Sequence, residues 1–157
     1  MDQDLAATAL QSWDRHATAL HDLIAALSPE QLQARAHPTS PSVAEQVDHL
    51  HATRLFWMAY ASEKSPDWSE AGPPPSRDVL LGQLAESAGR LRALVASRLV
   101  SGQPLAIYGH PLFLQQHLLW HEAYHVGQIA LALKTLGLPL TEPQTDRIWD
   151  TLRPPCP

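Results

Sequence analysis

Residues 111–136 read PLFLQQHLLWHEAYHVGQIALALKTL, from Pro111 to Leu136. Proline stands at the first position, where its missing N–H would have no helical partner anyway. Gly137 follows the stretch, in the place of a helix C-terminal cap. Between these ends lie His117, His121 and His125, each four residues from the next. At about 100° per residue, steps of four turn by only about 40°, so one helix face carries a line of imidazoles running on into Gln128. His110 stands at the mouth of the same stretch.

Working outward, the 14 prolines divide the chain. A proline in a helix interior costs about 3 kcal/mol, so long proline-free blocks are helix candidates. They predict helices near 4–27, 43–62, 77–101 and 111–136. The first carries an apolar seam of Ala6, Leu10, Trp13, Ala17, Leu20, Ile24 and Leu27. The second opens with Ser42-Val43-Ala44-Glu45, a capping box. The third has the seam Leu80, Leu84, Ala88, Leu91, Val95 and Leu99. Ser28-Pro29-Glu30 starts a short helical turn. The extension 138–157 has room for one short helix around Ile148, Trp149 and Leu152. No strand pattern stands out. The expected fold is all-α, a single four-helix-bundle domain over 1–157. The loop 63–76 is long enough for a crossover between the second and third helices.

Composition narrows the function. The chain has 157 residues, 45% hydrophobic and 17% charged, enough for a sizeable core. A formal charge of −5 with no basic run argues against nucleic acid as a partner. No segment approaches the roughly 18 apolar residues of a membrane span. The acidic start Met1-Asp2-Gln3-Asp4 is unlike a secretory leader, and Cys156 is the single cysteine. Together they give the expectation of a reducing cytoplasm.

The histidines carry the chemistry. A metal needs lone pairs converging within about 2.1 Å of one point. His117, His121 and His125 span about 12 Å along the axis, too far for one ion, so one adjacent pair binds and either pair includes His121. A third ligand must come from another helix. His49 and His51 differ by about 200°, so only one faces the core. The helical angle leaves the choice open. Glu45, Phe56 and Tyr60 share the His49 side and make it the better pocket wall. His16, His21, His37 and His51 read as ordinary helix or surface histidines.

His121-Glu122-Ala123-Tyr124-His125 also matches the zinc-protease pattern H-E-x-x-H. Its context does not fit. Gln128 and Leu131 stand where a metzincin needs glycine and histidine, and no strand edge is available to hold extended peptide. A peptidase is the distant alternative.

The run His121 to Ile129, HEAYHVGQI, resembles the signature of the DinB/YfiT-like metal-binding four-helix bundles. Ser42 to Leu50, SVAEQVDHL, and Leu133 to Gly137, LKTLG, support the resemblance. It implies a divalent metal held by His49, His121 and His125, and so selects 121/125 over 117/121 and 49 over 51. It also implies thiol-dependent transfer or metal-dependent hydrolysis for some members, and pairing into homodimers.

Three neutral imidazoles leave a divalent ion an open position, the mark of a catalytic site. Such an ion lowers the pKa of bound water or thiol. Zinc, nickel and iron all suit three nitrogens. The expectation is therefore an enzyme that activates water or a low-molecular-weight thiol against a small electrophile, with a non-catalytic metal-binding bundle as the alternative. Glu122, His117 and Gln128 are candidates to orient the rings or bound water. Trp57, Trp68 and Trp149 are candidate exposed anchors of a homodimer. Gly127, which costs its helix about 1 kcal/mol against alanine, suggests close approach of a neighbouring helix.

Overall fold

A computed structural model describes residues 3–66, 72 and 75–153. Among them are six helices and no strand: α1 (Gln3–Ala26), α2 (Pro29–Gln33), α3 (Val43–Ala61), α4 (Arg77–Ser101), α5 (Pro111–Thr135) and α6 (Glu142–Leu152). The four long helices are those expected, with ends within a residue or so of the predicted bounds. Cys156 and Trp68 lie outside the described residues.

Local chemistry sets the ends. Ser42 and Glu45 form the expected capping box at α3, each side chain satisfying the other's backbone N–H. Ser28 with Gln31 does the same for α2, and Thr141 with Gln144 for α6. Gly102 closes α4 at φ 68°, in the left-handed region that favours glycine.

The helices assemble by burying their seams. α4 packs against both α1 and α3, α3 also packs on α5, and α6 lies along α1. The start of α6 is tied down through a buried amide. Gln144 donates to the Ala26 carbonyl at the end of α1 and to Gln31 of α2.

The core falls into two apolar clusters. One holds Leu20, Ile24, Leu50, Leu84, Ile129 and Leu133; the other holds Trp13, Met58, Leu91, Val95, Leu114 and Leu118. On each long helix the residue between the two clusters is polar. These are His16 on α1, Arg54 on α3, Ser87 on α4 and Glu122 on α5. They meet in one layer across the middle of the bundle.

Candidate metal centre

The seam of α3 that packs on α5 carries His49, and α5 presents His121 and His125 one turn apart. The three rings come together. Centroids are 5.4 Å apart for His49 and His121, 5.1 Å for His49 and His125, and 4.6 Å for His121 and His125. One nitrogen from each ring lies within 4.8 Å of the other two, a group that can hold a metal ion.

The surroundings suit a cation. Nδ1 of both His121 and His125 is buried without a hydrogen-bond partner. A buried polar atom left unpaired is costly, and a shared ion removes that cost. Each ring is also kept neutral, the form that binds metal. Burial lowers the pKa of His49, against the pull of Asp48. Burial and repulsion from His49 lower that of His121. Burial, then repulsion from His121 and His49, pushes His125 down to about 4. Thr53 Oγ1 sits 3.3 Å from His49 Nε2. A pocket of about 430 Å³, lined by His49, Thr53, Phe56, Trp57, His117 and His121, opens beside the cluster.

His51 is elsewhere. Its Nδ1 donates to the Gln83 carbonyl of α4 at 2.8 Å, the tautomer a carbonyl acceptor requires. His21 lies beside Asp22 and His37 bonds Thr39.

Glu122 makes no hydrogen bond to the imidazole cluster. It is fully buried, and Arg54 grips it with two bonds of 2.7 Å, Nε to Oε1 and Nη2 to Oε2. His16 Nε2 lies 2.8 Å from the same Oε2. Arg54 also donates to the Leu84 carbonyl and Ser87 Oγ, and stacks over Trp13 at 5.0 Å. Burial alone would raise the Glu122 pKa, but the hydrogen bonds and charges of Arg54 and His16 outweigh it and hold the carboxyl below its ordinary value. The H-E-x-x-H reading is left without its base, because both oxygens of Glu122 are committed to the core.

His117 lines the pocket, with Nδ1 2.6 Å from the Tyr108 hydroxyl and its ring 4.8 Å from Trp57. Gln128 is exposed and donates to the Tyr124 hydroxyl. Glu45 is also away from the centre, paired with Arg35. The sequence reading missed Tyr108, Arg54 and His16. Arg54 is explained by its pairing with Glu122 in the core, and an isolated arginine on a helix gives no such signal.

The packing expected around Gly127 is not found. A Cβ at Gly127 would meet nothing within 4 Å. The residue borders an open, largely apolar groove of about 760 Å³ between α1, α5 and α6.

An all-helical bundle with three converging histidines, two on one helix and one on a facing helix, defines a class of candidate metal proteins. The profile of the DinB superfamily matches residues 12–129, a span holding all three histidines, and the chain belongs to that superfamily. No curated protein and no solved structure matches the chain.

Proposed function

We propose that the protein is a metal-dependent enzyme in which His49, His121 and His125 hold a divalent ion, zinc or nickel before iron, and a small electrophile is attacked by water or a low-molecular-weight thiol. One observation carries this reading: three imidazoles converge beside a pocket, and no fourth protein ligand joins them among the described residues. A structural metal site is closed by four protein ligands, whereas a catalytic one keeps a position for water or substrate. When bound, such an ion makes hydroxide or thiolate available near neutral pH.

The chain's own residues would do the rest. The three rings stay neutral and keep their lone pairs for coordination. Arg54 and Glu122 hold α3 against α5 and so keep His49 facing the other two. Phe56 and Trp57 narrow the pocket and exclude water from one side. The Arg54 and His16 bonds keep Glu122 from becoming the fourth ligand. No helix among the described residues is long and apolar enough to cross a membrane.

Cobalt-loaded protein tests the reading. One equivalent of cobalt is expected, with a visible spectrum that shifts when a low-molecular-weight thiol such as cysteine is added. Hydrolysis of 4-nitrophenyl acetate should depend on the metal, or the thiol should be consumed with an alkyl halide in a metal-dependent way. An inert spectrum with neither reaction would support the non-catalytic bundle instead.

The same proposal includes a homodimer. Phe113, Trp120, Tyr124 and Leu131 are 59%, 79%, 60% and 66% exposed and fall within about 20° of one line along α5. Among the earlier anchor candidates, Trp57 is half-buried and Trp149 borders the groove.

A further inference from the structure

The pocket beside the imidazole cluster contains one more histidine, and its ring is held in a way that fixes which nitrogen carries the proton. Tyr108 precedes α5 and places its hydroxyl 2.6 Å from His117 Nδ1. Burial pushes the Tyr108 pKa up to about 12, so the phenol keeps its proton at any working pH. No other acceptor for that O–H is found among the described residues. A neutral imidazole has one bare nitrogen and one N–H. If Nδ1 accepts the phenol proton, the N–H must be on Nε2. The reverse arrangement would turn the half-buried phenol O–H away from the one acceptor found for it among the described residues and forfeit that hydrogen bond. Trp57 meets the ring edge-on at 4.8 Å and holds its plane. Nε2 has no partner among the described residues, and His117 lines the pocket together with His49 and His121.

We propose that His117, positioned by Tyr108, is a substrate-binding donor whose Nε2–H holds an oxygen of the substrate beside the metal position. The ligand class follows from the walls. His117 and the metal position offer a donor and a Lewis acid to one oxygen-bearing group. Phe56 and Trp57 offer aromatic surface to a flat apolar body. The site therefore takes small carboxylates, esters or ketones attached to an aromatic or similarly flat group, in preference to purely aliphatic ones. This rests on the metal-enzyme reading above. Tyr108 is a positioning residue, because it reaches the substrate only through His117.

The test has two arms. In metal-free protein labelled with ¹⁵N-histidine, two-bond ¹H–¹⁵N spectra report the tautomer of each ring. His117 is expected as the Nε2–H form, and Tyr108→Phe should let it redistribute. In zinc-loaded protein, benzoate and acetate are titrated as probes. Benzoate should bind tighter than acetate, and His117→Phe should weaken benzoate about tenfold at unchanged zinc stoichiometry. His117→Gln keeps a donor near the position of Nε2 and should restore most of the affinity. An Nδ1–H tautomer in the wild type, or benzoate affinity indifferent to His117→Phe, would overturn the proposal. Failure to bind zinc at all would overturn the metal reading. Benzoate titration of metal-free protein with and without His117 would then decide the donor separately.

Discussion

Two histidines two residues apart on α3 have opposite fates. His49 joins His121 and His125, and His51 is spent on a backbone carbonyl of α4. His121→Ala should therefore abolish stoichiometric metal, read by elemental analysis of the purified protein. His51→Ala should keep full metal content and lose about 1 kcal/mol of stability with its hydrogen bond. The cluster also predicts a pH dependence. In the metal-free protein all three pKa values lie below the ordinary 6.5, with His125 down to about 4. The unfolded chain then binds more protons than the folded one between those values. The histidine contribution to stability should be flat above pH 6.5 and fall as pH drops below it towards pH 4, where the depressed carboxyl of Glu122 takes over the loss. Urea unfolding of metal-free protein at pH 7 and pH 5 checks the sign, and His125→Gln should flatten the slope. That His121 shares a face with a histidine one turn away was legible in the sequence, because a step of four leaves two side chains on one face whatever surrounds them, but the choice of His125 over His117 came only from the family resemblance. The choice of His49 over His51 was not legible from angles alone, because apolar residues flank both.

Helix ends were the most readable elements. Prolines and caps act through the backbone of a few neighbouring residues, so Ser42, Pro111 and Gly137 mark boundaries before any packing is known. What an element does with its interior charges was hidden. Arg54 and Glu122 would each pass for a solvent-facing residue, yet together they form a fully buried pair between α3 and α5. Removing one partner strands the other in a dry core. Arg54→Ala should destabilise the bundle by about 3–5 kcal/mol, measured by urea denaturation. Arg54→Met combined with Glu122→Leu should recover much of that loss, because neither variant residue leaves an unpaired charge. If the single variant is as stable as the parent, Glu122 is protonated or hydrated in the core and the pairing has been misread.

At the scale of the whole molecule, α5 is apolar on more sides than one bundle can cover. Its inner face fills the core, a second face carries the imidazoles, and a third leaves Phe113, Trp120, Tyr124 and Leu131 outside. A large aromatic ring buries about 150–250 Å² in an interface, so this stripe supplies a good part of the roughly 800 Å² per partner of a standard interface. Light scattering at micromolar concentration should show a particle of twice 17.3 kDa, and Trp120→Glu should return it to the monomer mass. A parent protein already at the monomer mass would remove the dimer from the proposal.

The polar layer has a consequence for how the helices find their places. The leucine seams of the long helices are so repetitive that they would mesh nearly as well after one helix slid by a turn, about 5.4 Å. The layer of His16, Arg54, Ser87 and Glu122 occurs once and has no such periodicity. A slip in any helix would drive a guanidinium or a carboxylate into aliphatic side chains. The layer is thus an index mark that leaves the bundle a single axial alignment. His121 precedes Glu122 by one residue, and His49 precedes Arg54 by five. Whatever fixes those two charges to one another also sets the height at which the imidazoles meet.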